Sequence, residues 1–500
     1  MEGLINRLFD ASGKEWPMAF LFCLACATLA WDDAPASEPA QPAAASASAM
    51  DVVSALESVL ADAIERAEPS VVAIHRDKSE NASETLAVRG KVRNPRLADE
   101  RAVPAPSAFE EGDAISFDFG SGVVIGDRGE ILTAFHVVQG ASRLIVRAAG
   151  RQVFQAEVIA ADPRSDLAII APVSVPGEES PRLKPLPIGD ASTLRKGSFL
   201  VVLGNPFNAA RDGKASAGWG ILANIARRVE AELGASPLAG KPLQLPNYPT
   251  LLQLDAKLNL GMSGGAVVNM KGELVGLTTT AASPAGFDAM AGYAIPMDRA
   301  GRRAVETLKQ GKEVEYGLLG VRPYLRNTNR IDSVSPNSPA ARGDLQRNDE
   351  IISINGEPVV DFDSLIVAVN SYSAGDQIRL TILRDNRKIE KDLVLAKFPV
   401  EGEIIATAQP PAWRGIRVDY LSTLNANQAG VNILELVDSG VVVREVEPDS
   451  PAEKAGLMKG RVIRKVGDQA ITSPSRFVEA VSKIDGPVTL MTDVGPIVVR

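Results

Sequence analysis

Residues Phe119 to Val138 read FGSGVVIGDRGEILTAFHVV. Two short apolar runs rich in Val and Ile flank a turn that carries Gly126, Asp127 and Gly129, and the second run leads into His136. Runs this short, bounded by Gly and Asp, point to strands rather than helices. The same rhythm recurs in VVAIH from Val71, RLIVRA from Arg143, DLAIIAP from Asp166, FLVVLGNP from Phe199, AVVNMKGELVGLTT from Ala266 and GYAIPM from Gly292. Many short strands with frequent turns predict a mainly β chain, built as a barrel or sandwich. The charged stretch from Arg76 to Glu111 has no apolar period and reads as a long loop. Val52, Leu56, Leu60 and Ile64 recur at helical spacing and predict an amphipathic helix over Asp51 to Ala67.

The chain has 500 residues, enough for roughly three domains of about 150 residues. A hydrophobic share of 45% and a charged share of 23% are ordinary for globular protein. The net charge of -9 argues against a general nucleic-acid binder, which needs clustered Lys and Arg. Cys23 and Cys26 are the only cysteines and His75 and His136 the only histidines, so no metal site and no disulfide is expected in the folded part. None of the Gly-Lys pairs is followed by Ser or Thr, which removes the P-loop reading. Gly218, Gly220 and Ala223 mimic a dinucleotide fingerprint, but no acidic residue follows about 20 positions on. No cofactor is expected.

Met18 to Ala30 is an apolar run too short for a membrane span of about 20 residues. It fits the apolar region of a signal peptide, with an uncleaved N-terminal anchor as the alternative. Ala34 to Met50 is almost entirely Ala, Pro, Ser, Glu and Gln and reads as a disordered tether. Towards the other end the chain repeats itself. PNSPAARGDLQRNDEIISINGEPV from Pro336 returns as PDSPAEKAGLMKGRVIRKVGDQAI from Pro448, an offset of 112 residues. Two copies of one small α/β module explain this, joined by Glu401 to Trp413.

Asn259 to Asn269, NLGMSGGAVVN, sets a serine among three glycines. A flexible turn accommodates serine readily, and a nucleophile also needs such a turn, because open backbone N–H groups must reach the oxyanion. If Ser263 is a nucleophile it needs a base. His75 ends an apolar strand beside Arg76 and is the weaker candidate; His136 follows an apolar strand and precedes a Gly-containing turn. The imidazole in turn needs a carboxylate. DPRSDLAII supplies Asp162 and Asp166, of which Asp166 leads into the apolar run. The order His136, Asp166, Ser263 is that of the chymotrypsin-type triad, on a chain already read as β.

With these residues in place, the chain resembles the HtrA (Deg) serine proteases. FGSGVVIGDRGEILTAFHVV is similar to the family's histidine segment, DPRSDLAII to its aspartate motif, VVLGNPF to the loop before the nucleophile, and LQLDAKLNLGMSGGAVVNMKGELVGLTT to the nucleophile loop and the strand after it. The repeated modules resemble its PDZ domains. The resemblance implies a chymotrypsin-like double β-barrel over residues 51–312, PDZ modules over 313–398 and 413–500, a linker over 399–412, and leader and tether over 1–30 and 31–50. It further implies ATP-independent hydrolysis of unfolded or damaged proteins in the periplasm or cell envelope, assembly into a homotrimer or larger oligomer, and PDZ binding of peptide C-termini. His136, Asp166 and Ser263 would be the triad, Gly261, Met262 and Ser263 the oxyanion loop, and Gly317, Leu318, Leu319 and Gly320 a carboxylate-binding loop, with WRGIRV from Trp413 its weaker counterpart. The alternative is a chaperone-like or scaffold binding protein whose protease domain is vestigial or shut.

Four positions depart from the family pattern. Met262 and Ala134 stand where Asn is usual, Leu260 replaces a usual Pro or basic residue, and Asn348 replaces a usual Gly. Residues 226–246 also exceed the usual length. A thioether anchors a turn less well than an amide, so the sequence predicts a resting loop with Met262 packed inward and the oxyanion hole incomplete.

Overall fold

The computed structural model describes residues 48–78, 119–177, 179–205, 213–226, 250–279, 292–325, 327–400, 402–424 and 439–500. The apolar segment from Met18, nearly all of the tether, most of the charged stretch after Arg76 and nearly all of 226–246 lie outside these residues. The chain divides into two units, Met1–Val53 and Ser54–Arg500. Of the first, only the start of helix α1 (Ala49–Ala67) is described. Ser48 and Asp51 exchange hydrogen bonds there, each side chain accepting from the other's N–H. Only the second half of the expected apolar stripe is buried: Leu60 and Ile64 pack with Ala63 and Ala67 on the core, whereas Val52 is 60% exposed.

The opening stretch forms a hairpin. β2 (Phe119–Val124) and β3 (Ile131–Ala134) pair antiparallel, Val123 opposite Leu132, and Gly129 takes φ +85° in the turn between them. With β1 (Val71–Lys78), β4 (Ala141–Ala148), β5 (Gln152–Asp162) and β6 (Leu167–Pro172) they run β5-β4-β1-β2-β3-β6, and β5 pairs with β6 to close the sheet. β7 (Phe199–Gly204), β8 (Ser216–Ala226), β9 (Leu251–Leu254), β10 (Ala266–Val268), β11 (Leu274–Thr279) and β12 (Gly292–Pro296) form a second closed barrel, ordered β10-β11-β12-β9-β8-β7. Closure removes the exposed edges that open sheets carry, so the mainly β reading holds with the barrel as its form.

Two local expectations change. Arg76 belongs to β1, paired with Leu144, and not to a loop. In EILTAFHVV the strand stops at Ala134, and Phe135–Val138 makes the single helical turn α2. Helix α3 (Arg299–Lys309), capped by Asp298, leads out of the second barrel.

The repeat appears as two modules. The first contains β13 (Gly317–Leu318), β14 (Val321–Pro323), β15 (Ile331–Val334), helix α4 (Pro339–Arg342), β16 (Glu350–Ile354), β17 (Glu357–Pro358), helix α5 (Phe362–Asn370), β18 (Gln377–Arg384), β19 (Arg387–Val394) and β20 (Ala396–Lys397). In the second, β22 (Ile416–Tyr420), β23 (Val441–Val446) and β24 (Val462–Val466) continue into strands Val488–Thr492 and Gly495–Val499. β16 and β24 lie 112 residues apart, as do α5 and helix Pro474–Ser482. Ser338 and Ser450, at the same offset, each cap a one-turn helix. Each also packs against a glycine at positive φ: a Cβ on Gly320 or Gly415 would lie 2.2 or 2.1 Å from the serine Cβ. Asn348 takes φ +76°, a conformation Asn tolerates better than other residues with a Cβ, which explains how it replaces glycine.

The segment expected to be a plain linker has structure of its own. β21 (Ile405–Ala406) adds to β5, Ile405 opposite Ala161, and the Thr407 hydroxyl donates to the Ile159 carbonyl at 2.9 Å. Beyond it the second module is tied by a buried ion cluster. The Lys397 ammonium lies 2.8 Å from Glu313, 3.5 Å from Glu315 and 2.9 Å from Asp419, and Arg444 pairs with Glu313 and Asp419. Burial pushes the Lys397 pKa down, but the three carboxylates outweigh it and hold the ammonium above its ordinary value.

Candidate active site

Pairing of β3 with β6 sets Ala134 opposite Leu167. Phe135, just past Ala134, is therefore a neighbour of Asp166, just before Leu167, and the helical turn that begins there carries His136. The His136 Nδ1 lies 2.9 Å from both carboxylate oxygens of Asp166. Asp166 also accepts the His136 main-chain N–H at 3.0 Å through Oδ1 and the Phe135 N–H at 2.9 Å through its carbonyl. Ala134 opens α2 without a side-chain cap, so Asp166 does that work from the turn before β6. This requires the left-handed backbone at Asp166, φ +54°, which short polar side chains tolerate. Thr279 at the end of β11 donates to Asp166 Oδ2 at 3.2 Å, a clasp from the second barrel.

Asp166 is buried and His136 is one-third exposed, at 34% of its side chain. Burial pushes the imidazole pKa down; the charge and hydrogen bond of Asp166 outweigh it and Arg76 opposes them, leaving the pKa above its ordinary value. Arg76 donates to the carbonyls of His136 at 2.9 Å and Gln139 at 3.0 Å. His75 instead pairs with Asp77 at 3.0 Å. Asp162 accepts from the Ser165 N–H and hydroxyl and from the Tyr316 hydroxyl. Burial pushes its carboxyl up against these hydrogen bonds.

Two tight turns meet at Met262, and the second carries Ser263. The Met262 N–H donates to the Asn259 carbonyl at 3.1 Å, with Gly261 at φ +93° in the third position and Leu260 outside the positive-φ region, which is a type II turn. The Gly265 N–H donates to the Met262 carbonyl at 2.9 Å with Gly264 at φ +82°, a second turn of the same type. No glycine-free sequence adopts this pair cheaply. The space is also restricted: a Cβ on Gly264 would lie 2.2 Å from the Ser121 carbonyl and 2.5 Å from Thr133 Oγ1. The serine turn thus nests directly against the strand end that leads to His136.

Ser121, absent from the expected site, organises this loop. Its hydroxyl donates to the Gly261 carbonyl at 2.7 Å and accepts the Asn205 N–H at 2.8 Å, while its own N–H donates to the Ser263 carbonyl at 2.8 Å. With the Gly261 carbonyl held this way, none of the described residues accepts from the Gly261 N–H. A small hydroxyl between Gly120 and Gly122 was the available signal.

Met262 is buried, in an apolar cluster that also contains Leu200, Val202, Leu254 and Val267. The turn keeps the type II form, and Met262 Sδ lies 3.5 Å from the Asn259 N–H. The Met262 N–H is taken up in closing the turn.

Gly317, Leu318, Leu319 and Gly320 are brought together along a groove of about 270 Å³ beside α5. The Gly317 N–H is spent on the Tyr372 carbonyl at 3.0 Å. Those of Leu319 and Gly320 find no acceptor among the described residues. In the second module, Trp413 and Ile416 exchange hydrogen bonds and face a cleft of about 610 Å³ shared with Pro410, Pro411 and Thr307. Among the described residues no cluster of His, Cys, Asp and Glu could hold a metal ion, and no helix is long and apolar enough to cross a membrane.

A family model described as the trypsin-like peptidase domain matches residues 120–277, and one described as the PDZ domain matches 317–395 and 423–489. A probable periplasmic serine endoprotease, DegP-like, of Pseudomonas fluorescens is 30% identical over 447 residues, covering 83% of this chain and 86% of that protein. The periplasmic serine endoprotease DegP of Escherichia coli is 30% identical over 366 residues, covering 70% of this chain and 69% of that protein. A solved structure of the HtrA-type protease AlgW with tripeptide aligns with 68% of this chain and 98% of that one, at 24% identity and a TM-score of 0.48. With two closed barrels, two PDZ modules and relatives matched along most of their length, the chain belongs to the DegP-like (HtrA) serine endoproteases.

Proposed function

We propose that Ser263 is the nucleophile of this endopeptidase, His136 its general base and Asp166 the carboxylate that orients the base. The observation that carries this is the double hold of Asp166 on His136, at ring and main chain. With Nδ1–H directed to Asp166, Nε2 is left to take the Ser263 proton as the hydroxyl attacks the scissile carbonyl. Asp166 then stabilises the imidazolium, and His136 returns the proton to the leaving amine. The N–H groups of Gly261 and Ser263 receive the oxyanion, and the type II turn supports an open rather than a shut site.

The substrates in this reading are unfolded or damaged polypeptides of the periplasm or cell envelope, cleaved without ATP. The Met18–Ala30 run acts as an export signal or an anchor. The protease domain takes residues 51–312 and the PDZ modules 313–398 and 413–500, with β21 turning the intervening segment into a strap on the first barrel. The first module captures polypeptide C-termini through Leu318, Leu319 and Gly320, and the chain works as a homotrimer or larger assembly. Casein digestion by the parent and by Ser263→Ala tests the core of this reading. Loss of a triad serine costs about a millionfold in kcat, and digestion that survives the substitution removes the assignment.

A further inference from the structure

The groove of the first PDZ module has a wall from outside the module. Among the described residues lining it, Arg164 is the one cation, and it comes from the turn between Asp162 and Asp166 of the protease domain. The module has little of its own to offer there. Glu313 and Glu315 precede the loop, and Lys397, opposite Gly317 across β13 and β20, has its ammonium committed to Glu313, Glu315 and Asp419.

Arg164 is held in position from three sides. The Asp162 carboxylate accepts the N–H groups of Arg164 and Ser165 and so fixes the turn. The guanidinium carbon lies 3.8 Å from the Phe398 ring centroid and 5.0 Å from that of Tyr316. Nη2 donates to Asn370 Oδ1 at 3.3 Å. That bond fixes the Asn370 amide orientation, and its Nδ2, on a residue only 4% exposed, has no acceptor among the described residues.

The place of this pair along the groove matters. Asn370 ends α5, at the same end where the Gly317 N–H meets the Tyr372 carbonyl. A peptide that joins β14 as an antiparallel strand brings its C-terminus to that end, beside the loop. The walls there, Leu319, Leu365, Ile366 and Val369, are apolar.

We propose that Arg164 is part of the peptide-carboxylate site. Its guanidinium and the Asn370 Nδ2 supplement the Leu319 and Gly320 N–H groups, and the ligand is a polypeptide C-terminus with an apolar last side chain. The site is then composite and complete only with the module seated on the protease domain. This rests on the reading that the groove captures C-termini, and extends it by naming a recognition residue outside the module.

The test uses the full chain carrying Ser263→Ala, so that the probe is not cut. Two fluorescent decapeptides ending in valine, one with a free carboxylate and one amidated, are titrated by anisotropy against this protein and against versions that add Arg164→Met, Arg164→Lys or Ile366→Glu. Arg164→Met keeps an apolar stem in the stack but removes the charge. The preference for acid over amide is expected to fall about 10- to 100-fold in Arg164→Met, the scale of a charge-assisted hydrogen bond, with amide affinity changed less than about twofold and most of the preference kept in Arg164→Lys. Ile366→Glu should abolish binding of both. An unchanged preference in Arg164→Met overturns the proposal while leaving carboxylate capture by the loop standing. Equal loss of both peptides assigns Arg164 to groove shape and also overturns it. A parent protein that does not distinguish acid from amide overturns carboxylate capture itself, and binding that survives Ile366→Glu places the peptide elsewhere.

Discussion

Asp166 grips His136 twice, its carboxylate 2.9 Å from the ring Nδ1 and 3.0 Å from the main-chain nitrogen. One residue therefore holds both the imidazole ring and the start of the helical turn that carries it. Asp166→Asn tolerates the left-handed backbone but presents an amide to Nδ1. Its kcat is expected to fall by about 10,000-fold, the known scale for this change in such a triad, and stability by about 1 kcal/mol for the weakened cap. Asp166→Ala should lose as much activity and more stability, because alanine at positive φ adds about 1 kcal/mol. Steady-state kinetics with chemical denaturation separates the two; equal stability of Asn and Ala variants would contradict the capping role.

The pH profile follows from the electrostatics. The base acts in its neutral form, so kcat/KM should rise with pH through an apparent pKa above the ordinary 6.5 of histidine. Arg76 lowers the imidazole pKa, so Arg76→Gln should move the acidic limb to higher pH, and His75→Gln should leave it in place. The folded-state pKa of His136 is raised, so its pairing with Asp166 contributes stability that is fully present below the unfolded value and lost as pH rises through the folded value. Local stability and activity thus change in opposite directions across that window. A limb shifted by His75→Gln and not by Arg76→Gln would show that the base was misassigned.

Ser121→Ala tests the oxyanion loop. The substitution removes the donor to the buried Gly261 carbonyl and the acceptor of the Asn205 N–H, a loss of about 1 to 3 kcal/mol. It also frees the Gly261–Met262 peptide to rotate, and with it the Gly261 N–H that precedes this unit. A fall in kcat of about 100- to 1,000-fold, the effect of one missing oxyanion donor, is expected with KM little changed. A KM effect alone would assign Ser121 to substrate binding.

The contact of His136 with Asp166 was legible in the sequence because each borders an apolar run, and His136 was preferred to His75 because it follows an apolar strand and precedes a Gly-containing turn. Ser121 was not, since its role exists only once Gly261 and Ser263, about 140 positions away in the chain, fold onto it. The strand at Ile405 was hidden for a similar reason: two residues in a Pro- and Ala-rich stretch carry no period, and only the end of β5 beyond its pairing with β4 makes them a strand. The helix from Val52 was legible in its period, but periodicity marks an apolar face without saying what covers it. Glycine at position 261 takes the positive φ that the turn requires, and an apolar cluster of the second barrel includes the Met262 side chain.

The joint between the two modules depends on Lys397. Lys397→Met would leave Glu313, Glu315 and Asp419 close together with Arg444 as the remaining partner. Breaking a buried ion pair from one side costs about 3 to 5 kcal/mol. Limited proteolysis should therefore cut the segment Gln409–Pro411 much earlier in this variant, with peptide hydrolysis at the protease site unchanged. Equal cleavage rates would mean that the cluster does not hold the modules together.

The central claim is that His136, under the control of Asp166, activates Ser263. The most direct measurement is labelling with diisopropyl fluorophosphate, which phosphorylates an activated serine, followed by peptide mapping of the modified residue. The expected result is a single adduct on Ser263 in the parent chain, slowed by several orders of magnitude in His136→Ala and unaffected in His75→Gln. An adduct on another serine, or labelling of Ser263 at the parent rate in His136→Ala, would contradict it.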